Sequence, residues 1–557
     1  MIHDGCCNIA SLLPRRAAER PHQLAVACPV GRDAAGRVSY SHYTFAQLDR
    51  ESDLLARGLR ASGIGAGCRT VLMVTPSLDF FALTFALFKA GAIPVLIDPG
   101  MGVWKLRRCM KEARPSAFIG VQKAHLARIL FGWGRGRRQT LITVGRKSRL
   151  CGGIDLAALR LLGRQSVEQP FFEGDIDDLA AILFTSGSTG SPKGAIYSHR
   201  MFLTQVRLLQ ETYGIEAGET DLSTFPLFAL FGPALGMTAV IPDMDPTRPA
   251  QVNPERIAEA IDDFGISNMF GSPALIRRVG RWGVEQRHPF PTLRRVISAG
   301  APVPAPVLAQ MAQLLADGVQ VHTPYGATEA LPVATIGSDE VLAETRFRTD
   351  MGKGICVGRP LAGIELAVIG IDDLPIKHWT DSLKVPTGQI GEICVCGPQV
   401  SRAYDHRADA NRLGKIADTN DRIWHRMGDL GYLDDDGRLW FCGRKAHRVI
   451  GAGQVWFTIP VEAVFNTHPD VYRTALVGLG KPGRQTPALC VELEAGVAAD
   501  QWLRIHDELV RLAARFDHTR DIHQLLHHPG FPVDIRHNAK IFREQLAPWA
   551  RKQVKRS

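Results

Sequence analysis

One segment of the chain, Phe184 to Gly194, combines glycines, hydroxyl residues and a single lysine in the order Phe-Thr-Ser-Gly-Ser-Thr-Gly-Ser-Pro-Lys-Gly. The apolar runs on either side, Leu179 to Phe184 and Ala195 to His199, have the length and composition of strands. Glycines let backbone N–H groups approach an anion closely, while the hydroxyl groups and Lys193 add donors and a positive charge. The segment therefore predicts a loop between two strands that closes over a polyphosphate.

Two other interpretations of this loop fit the residues less well. A Walker A loop requires Gly-Lys-Ser/Thr, whereas Lys193 here follows Pro192 and precedes Gly194. A flexible Gly/Ser linker would need neither the flanking strands nor the embedded Pro-Lys pair.

Length and composition describe an ordinary globular protein with more than one core. A chain of 557 residues favours a large domain followed by a smaller one. Its eleven cysteines show no metal-ligand spacing, and Cys394 and Cys396 are predicted to share one face of a strand. The region from Met1 to Arg16 lacks the basic start of a signal peptide, so we expect buried, reduced thiols and a cytoplasmic location.

Membrane and nucleic-acid partners can be judged from apolar runs and charge. The most apolar stretch, Phe80 to Ile97, is interrupted by Lys89 and Pro94, which favours a core helix and a strand over a membrane span. Residues 122–149 contain eight Lys/Arg and no acid. We interpret them as a solvated basic surface; the alternative is a docking patch for an anionic membrane or an acidic partner. No recognition helix accompanies the charge, which argues against nucleic acid.

Helical stretches alternate with short apolar runs between residues 20 and 170, which predicts βα units and a parallel sheet. The predicted helices and strands are Thr44–Ser62, Thr70–Val74, Leu78–Lys89, Ile93–Ile97 and Ala117–Val121. A further helix is predicted from Arg200 to Tyr213, ending at Gly214. The region Gly388–Gly443 has many turn residues between runs typical of β-strands, and it contains a predicted hairpin turn at Asp434–Gly437.

Strands and helices start anew in the last 110 or so residues. We therefore predict a domain boundary near Gly443-Arg444, with residues 1–442 forming the large domain and residues 443–557 the small one.

The glycine-rich segment resembles the phosphate-binding signature of adenylate-forming enzymes, the superfamily of acyl-CoA synthetases, luciferases and peptide-synthetase adenylation domains. The resemblance implies ATP and Mg²⁺ as cofactors. It also implies an α/β fold: a large N-terminal domain of βα-built sheets with a β-barrel-like subdomain, then a small mobile α+β domain. The residues that it assigns to the ATP phosphates are Thr185, Ser186, Gly187, Ser188, Thr189, Gly190 and Lys193.

Two further motifs resemble those around the adenine and the magnesium ion of the family. In Tyr325-Gly-Ala-Thr-Glu-Ala330, the resemblance places Tyr325 and Gly326 at the adenine, Thr328 on phosphate and Glu329 on magnesium. Taken alone, this segment could be an ordinary loop with a surface glutamate. The small residues of Ser298–Pro302 resemble the adenine-side turn, formed by Gly300, Ala301 and Pro302.

Three residues nearer the C-terminus complete the site that the resemblance implies. Asp429, in Met427–Gly431, would accept hydrogen bonds from both ribose hydroxyls, and Arg444 would reach ribose or phosphate. The alternative for this pair is a structural ion pair bracketing the hairpin. Lys540, in His-Asn-Ala-Lys, stands where the family keeps its catalytic lysine, although a solvated lysine in a basic tail is the alternative.

The segment Phe225–Gly236 resembles the acyl-pocket motif of the family, with Ala229 where a histidine is common. With the apolar residues after Asn268, it favours a long or bulky acyl chain. Each of these residues would also suit a buried core. The candidate substrate contacts are Phe228, Phe231, Met269 and Phe270.

Some departures from common acyl-CoA ligases narrow the resemblance to the olefin-biosynthesis β-lactone synthetases. They are Ala446 at the hinge position, the segment Ile241–Pro249 and the His-Asn-Ala-Lys ending. The implied activity is adenylation of a 2-alkyl-3-hydroxy fatty acid and closure of a β-lactone, with α/β-hydrolase-like and reductase-like enzymes as assembly partners. A long-chain acyl-CoA or acyl-carrier-protein ligase is the alternative.

Two other classes of function have less support in the sequence. A nucleotide sensor would not need Lys540. A zinc enzyme built on the C-terminal histidines would need an acid that His523-Gln-Leu-Leu-His527 lacks.

Overall fold

The computed structural model describes residues 7–134, 139–168, 171–185, 191–225, 231–533 and 541–555. In the N-terminal part, helices and strands alternate as the sequence predicts. In chain order they are α1 (Leu12–Glu19), β1 (Leu24–Arg32), β2 (Val38–Thr44), α2 (Phe45–Ala61), β3 (Arg69–Met73), α3 (Leu78–Lys89), β4 (Ile93–Leu96), α4 (Val103–Ala113), β5 (Ala117–Val121), α5 (Gln122–Leu130), β6 (Thr140–Val144), β7 (Ile154–Asp155), α6 (Leu156–Gln165), β8 (Leu179–Thr185), β9 (Lys193–Ser198), α7 (His199–Tyr213) and β10 (Thr220–Ser223).

The middle of the chain changes from βα units to a mainly antiparallel region. Its elements are α8 (Phe231–Leu235), β11 (Thr238–Val240), α9 (Pro254–Phe264), β12 (Asn268–Gly271), α10 (Pro273–Gln286), β13 (Arg295–Ser298), α11 (Ala305–Ala312), β14 (Val321–Ala327), β15 (Ala330–Gly337), α12 (Ser338–Glu340), α13 (Arg346–Asp350), β16 (Ile355–Pro360), β17 (Glu365–Ile369), β18 (Gly391–Cys396), α14 (Ala408–Gly414), β19 (Lys415–Ala417), β20 (Ile423–Leu433) and β21 (Leu439–Arg444).

The C-terminal part forms a small α+β unit with its own hydrophobic core. Its elements are β22 (Val449–Ile450), β23 (Val455–Trp456), α15 (Thr458–Phe465), β24 (Val471–Leu479), β25 (Thr486–Leu493), α16 (Trp502–Ala513), β26 (Gln524–His527) and α17 (Arg543–Val554). Short 3-10 turns occur along the whole chain, at Ile9–Ser11, Pro99–Met101, Arg149–Cys151, Pro249–Gln251, Asp381–Leu383, Lys445–His447 and Ala499–Gln501.

Local sequence signals explain where several of these helices begin and end. Helix α2 starts with a capping box, in which Thr44 accepts from the Gln47 backbone and Gln47 bonds back to the Thr44 backbone. Helix α7 ends at Gly214, whose left-handed backbone suits glycine. Helix α3 spans the predicted range and is buried on nearly every side, which explains its uniformly apolar sequence.

Two sheets carry the large domain in the described part of the chain. The first has the strand order β7-β6-β5-β3-β4-β8-β9, and every neighbouring pair is parallel except β8 and β9. The second has the order β17-β18-β20-β21-β16-β15-β14-β13-β12-β10-β11-β1-β2, with β19 paired to β20. Its strands β10 to β14 are parallel, so carboxyl ends of parallel strands from both sheets are available to form a crevice.

The α/β fold class is confirmed, with one difference in the β-rich region. In the described residues this region is no closed barrel, because β21 pairs with β16 and β16 with β15, which joins it to the second sheet. The hairpin turn at Asp434–Gly437 connects β20 and β21 as predicted. The position of the domain boundary stays a prediction.

The apolar and cysteine-containing segments also lie as expected. Of the ten free cysteines in the described residues, eight are buried, and Cys394 and Cys396 share one small core. Among the helices that the structure describes, none has the length and apolar character needed to cross a membrane.

Candidate active site

A cavity of about 970 Å³ lies at the carboxyl ends of parallel strands from both sheets. Phe184 of β8 lines one side, and the residues that follow β12, β13 and β14 line another. The cavity brings together the described parts of every motif that the sequence singled out. Its motif residues are Lys193, Gly300, Ala301, Pro302, Tyr325, Gly326, Thr328, Glu329, Asp429 and Arg444.

The glycine-rich loop connects two antiparallel strands, as predicted. Thr185 is the last residue of β8 and pairs with Lys193, the first residue of β9. The other loop candidates, Ser186, Gly187, Ser188, Thr189 and Gly190, lie outside the described residues. Lys193 extends its ammonium group over the Tyr404 ring, 5.0 Å from the ring centroid. The one positive charge of the predicted phosphate loop is therefore held on an aromatic surface at the cavity wall.

Tyr404 was not identified from the sequence, yet it connects the phosphate loop to the predicted magnesium ligand. It forms an isolated antiparallel bridge with Ala195 of β9. Its hydroxyl donates a hydrogen bond to Oε1 of Glu329 at 2.6 Å. Burial, followed by the Glu329 charge, raises the pKa of Tyr404 far above its usual range. The tyrosine stays protonated and holds the Glu329 carboxylate in one orientation.

A second lysine lies near the same tyrosine. The Lys415 ammonium is 5.4 Å from the Tyr404 ring centroid and donates to the Ser401 carbonyl oxygen. Burial lowers the pKa of Lys415 to about 7, although the Glu329 carboxylate raises it in part. A single polar cluster therefore contains two lysines, one tyrosine and one carboxylate. No sequence motif indicated that these four residues lie together.

Arg407 links the exit of the phosphate loop to helix α4. It donates to Oγ of Ser191 at 3.1 Å and lies 3.5 Å from the Glu112 carboxylate. Its side chain is mostly buried and also lines the cavity. An arginine between two loop segments is not marked by any local pattern, so only the fold reveals this contact.

The ribose candidates form a connected group at the base of the β20–β21 hairpin, where Asp429 and Arg444 face each other in the strand register. Asp429 accepts from the Tyr325 hydroxyl at 2.7 Å and from Arg444 Nη1 at 2.6 Å. Burial and the Asp429 charge together raise the pKa of Tyr325, and the same carboxylate raises the pKa of Arg444. The sequence analysis gave a structural ion pair as the alternative role of Asp429 and Arg444. This ion pair is present, and both residues line the cavity.

The adenine-side candidates provide a small, flat wall. Gly300 has φ 98°, a conformation that favours glycine, and it lines the cavity with Ala301 and Pro302. At Gly326, a Cβ atom would approach the Ala330 carbonyl oxygen to 2.7 Å, so a larger residue would displace the backbone. The Tyr197 hydroxyl donates to the Thr328 carbonyl oxygen, which fixes the backbone of the motif.

The residues at the predicted metal position suit magnesium. Glu329 offers a carboxylate oxygen in the cavity wall, which is the donor type that Mg²⁺ prefers. Its backbone carbonyl accepts from the Ser401 amide at 2.8 Å, so both ends of the residue are held.

The four acyl candidates divide into three groups. Phe231 and Phe270 line the cavity. Met269 is fully buried in the core behind that wall, since it lies on the opposite face of β12 from Phe270. Phe228 lies outside the described residues. A smaller cavity of about 70 Å³ adjoins the large one, and both are lined by Phe231, Phe270 and Leu331.

The C-terminal unit contributes to the same cavity. Lys540 lies outside the described residues, but Ile541 and Arg543 on its C-terminal side line the cavity. Arg543 Nη2 donates to both carboxylate oxygens of Glu462, at 2.6 and 2.7 Å. This buried pair fixes the start of α17 against α15.

The geometry thus joins the described end of the predicted phosphate loop, the Glu329 carboxylate and the predicted ribose ligand Asp429 in one crevice. A family model described as "AMP-binding enzyme" matches residues 13–405. The chain belongs to the AMP-binding enzyme family. This match confirms two predictions from the sequence. The enzyme is a ligase that forms acyl adenylates, and its cofactors are ATP and Mg²⁺.

Individual relatives narrow the resemblance further. The chain is 50% identical over 553 residues to an olefin β-lactone synthetase of Xanthomonas campestris pv. campestris, covering 98% of each chain. It is 49% identical to an olefin β-lactone synthetase of Stenotrophomonas maltophilia, covering 99% of each. Among solved structures, the amide bond synthetase McbA from Marinactinospora thermotolerans shares the fold, with a TM-score of 0.77 and 22% identity over 97% of this chain and 99% of that one.

Proposed function

We propose that this protein adenylates a 2-alkyl-3-hydroxy fatty acid and then closes it into a β-lactone, within long-chain olefin biosynthesis. The observation that carries the proposal is the near-full-length identity of 50% to an enzyme named olefin β-lactone synthetase. Because the alignment covers 98% of the chain, it includes both the predicted ATP site and the predicted acyl pocket.

In the first step, a carboxylate oxygen of the acid attacks the α-phosphorus of ATP, and pyrophosphate leaves. The phosphate loop with Lys193 would bind the β- and γ-phosphates, and Glu329 would hold the magnesium ion. Magnesium, when bound, neutralises charge on the phosphates. Lys540 would bridge the carboxylate and the α-phosphate, which lowers their repulsion as they approach. Asp429 and Arg444 would fix the ribose.

In the second step, the 3-hydroxyl oxygen attacks the activated carbonyl carbon. The new C–O bond closes a four-membered ring, the bond to the AMP phosphate breaks, and the hydroxyl proton is released. The hydroxyl is tethered two carbons from the carbonyl, so its effective concentration is high even though ring strain opposes closure.

The acyl side of the cavity supports an apolar, branched substrate. Phe231 and Phe270 form an apolar wall, and a small cavity that is mainly apolar, although Asp221 and Asn268 also line it, extends beside this wall. A wall of this kind excludes water, which favours cyclisation over hydrolysis of the adenylate.

Product analysis tests the proposal. Given MgATP and a 2-alkyl-3-hydroxy acid without coenzyme A, we expect equimolar AMP, pyrophosphate and β-lactone. The control is the same acid without its hydroxyl, which should form the adenylate but no lactone. A product that appears only with coenzyme A and contains a thioester would instead identify an acyl-CoA ligase.

We also propose a cytoplasmic location and an assembly with α/β-hydrolase-like and reductase-like enzymes of the same route. The buried free cysteines support a reducing compartment. Co-purification of the three enzymes at one elution volume would test the assembly, and separate elution of each would contradict it.

A further inference from the structure

One surface next to the active-site cavity combines exposed apolar side chains with a high density of positive charge. It is formed by the exposed residues of α4, the C-terminal end of α5 and residues 146–150, and we call it the basic apolar face. Trp104 of α4 is 68% exposed, Leu130 of α5 is 77% exposed and Leu150 is 70% exposed. Large apolar side chains at this exposure usually mark a contact surface when they lie together.

Helix α5 connects the three elements of this face. The ring centroids of Trp104 and Phe131, the residue after α5, are 6.0 Å apart. The Arg128 guanidinium of α5 donates to the Cys151 carbonyl oxygen at 3.5 Å, next to Leu150. Helix α4 packs its other side, including Leu106 and Met110, into the core, so its exposed side is fixed toward solvent.

The charge on this face has one sign. Helix α4 and the residue after it expose Lys105, Arg107, Arg108, Lys111 and Arg114. None of these five forms a salt bridge with an acid in the residues that the structure describes. The remaining exposed cations of the face are Arg146, Lys147 and Arg149.

The acid on α4 does not neutralise this charge. The Glu112 carboxylate lies 3.5 Å from Arg407 at the phosphate loop, and its side chain is only 12% exposed. An unpaired basic surface with aromatic and aliphatic side chains at its centre is typical of helices that lie on anionic membranes.

The position of the face suits an exchange of apolar molecules with a membrane. The 3-10 turn that precedes α4 contains Met101, and both Met101 and Asp98 line the active-site cavity. The face therefore lies beside one wall of the cavity. A long-chain acid and its lactone partition into lipid, a point that rests on the proposed function.

We propose that the basic apolar face docks the enzyme peripherally on an anionic phospholipid bilayer. Trp104, Leu130 and Leu150 enter the headgroup region, and the surrounding lysines and arginines bind lipid phosphates. Charge complementarity selects this occupant, because neutral lipid would leave the cations of the face without partners.

Vesicle co-sedimentation tests this proposal with the full-length enzyme. The probes are vesicles of phosphatidylcholine alone and vesicles containing about a third phosphatidylglycerol, each at low and high salt. We expect binding only to the anionic vesicles, with at least a tenfold weaker partition coefficient at high salt. The variants W104S/L130S and K105E/R108E should each weaken binding at least tenfold.

Matched substitutions on a distant helix serve as controls. Leu503→Ser and R511E/R515E remove an equally exposed leucine and two exposed arginines from α16 and the residues after it, and should change binding less than twofold. Circular dichroism and thermal unfolding confirm that each variant is folded.

Several outcomes would overturn the proposal: no binding to anionic vesicles, equal binding to neutral ones, or equal loss in the control variants. Lactone formation from detergent-solubilised acid, measured in the same variants, should be unchanged. An enzyme that binds vesicles but forms no lactone would contradict the proposed function and leave the docking surface supported.

Discussion

At the scale of single residues, Asp429 combines contacts within the protein with a position in the cavity wall, where we propose that it also binds ribose. It accepts hydrogen bonds from Tyr325 and Arg444 and still lines the cavity. A vicinal diol suits a carboxylate because one acid group can accept two hydrogen bonds. The structural ion pair and the proposed ribose contact are therefore compatible roles of the same side chain. A nucleotide that lacks the ribose hydroxyls can distinguish between these two roles.

We predict that Asp429→Asn raises KM for ATP by about 10- to 100-fold, because hydrogen bonds to charged groups contribute roughly 1.5–3 kcal/mol. In the wild type, 2′,3′-dideoxy-ATP should bind worse than ATP by a similar factor. In the variant, the two nucleotides should differ less than about threefold, or ~0.7 kcal/mol.

The matched control for this prediction is Asp434→Asn. Asp434 holds Arg438 and Trp440 in the same hairpin, with Nε–Oδ2 and Nε1–Oδ2 distances of 2.9 and 2.8 Å. It should lower stability without changing nucleotide discrimination. Full discrimination in Asp429→Asn would assign Asp429 a structural role only.

Lys540 carries the sharpest residue-level prediction from the sequence, although it lies outside the described residues. We expect Lys540→Ala to lower pyrophosphate release more than about 100-fold, or ~2.7 kcal/mol, while nucleotide binding largely remains. Lys552→Ala, an exposed lysine on α17, is the control. Activity of the Lys540 variant within tenfold of the wild type would contradict the assignment.

At the scale of elements, the active site depends on a segment that docks on β9. Residues 403–405 follow β9 through hydrogen bonds from Ile196 N to Ala403 O and from Asp405 N to Gly194 O, at 3.1 and 2.8 Å. A bidentate pair of Asp405 with Arg69, at 2.8 and 3.0 Å, ties this segment to β3. The segment thereby places Tyr404 between the phosphate loop and Glu329.

The same arrangement predicts a pH-dependent stability. The pKa of Lys415 is about 7 in the folded protein and near its ordinary 10.5 when unfolded. Between these values the unfolded chain binds more protons, so stability rises with pH through this window. Lys415→Met should therefore stabilise the enzyme most near pH 6. Its advantage over the wild type should shrink by roughly 1–3 kcal/mol at pH 9, since one pKa unit corresponds to about 1.4 kcal/mol.

Unfolding midpoints of the ligand-free enzyme at pH 6, 7.5 and 9 measure this difference. Lys552→Met, at an exposed position, should follow the wild type at every pH. A constant difference between Lys415→Met and the wild type across the range would show that the ammonium group is not destabilised by burial.

Elements with strong local signals were predictable from the sequence. Strands β8 and β9 and helix α3 lie within a residue or two of their expected bounds, and the turn at Asp434–Gly437 joins β20 and β21 as expected, although β20 begins earlier, at Ile423. The contacts of Tyr404, Lys415 and Arg407 were not predictable, because they join residues that are far apart in the sequence and that no local pattern marks. Similarly, sequence spacing alone could not decide that Phe270 faces the cavity and Met269 the core.

At the scale of the whole molecule, described residues of the C-terminal α+β unit border the cavity formed by the rest of the chain. Thr458, Ile459, Ile541 and Arg543 line it from the C-terminal side. We propose that this orientation suits adenylation, because Ile541, which follows the predicted catalytic Lys540 in the sequence, lines the cavity. One contact between the two parts joins Arg277 of α10 to β24, where the guanidinium lies 4.8 Å from the Tyr472 ring centroid.

The junction between the two parts contains a glycine with a special backbone conformation and is held by ion pairs. Gly443 has φ 115°, and a Cβ atom there would come within 2.2 Å of Thr458 Oγ1, so the position requires glycine. Lys445 Nζ reaches the Glu392 carboxylate at 3.0 Å, and Arg448 pairs with the exposed Asp373. Ala446 lies between these two cations without a charged side chain of its own. A rotation about this junction would exchange a few ion pairs while each core stays intact.

We therefore predict that residues 443–557 rotate as a body between adenylation and lactone closure, because Lys540 and a second set of residues cannot occupy one site. A cleavable bis-maleimide between Arg277→Cys and Tyr472→Cys should hold the described orientation. The cross-linked enzyme should release one equivalent of pyrophosphate, accumulate the acyl adenylate and form lactone at least tenfold more slowly. Cleavage should restore turnover, and reagent-treated wild type, whose described cysteines are mostly buried, is the control. Normal lactone formation by the cross-linked enzyme would show that one orientation serves both steps.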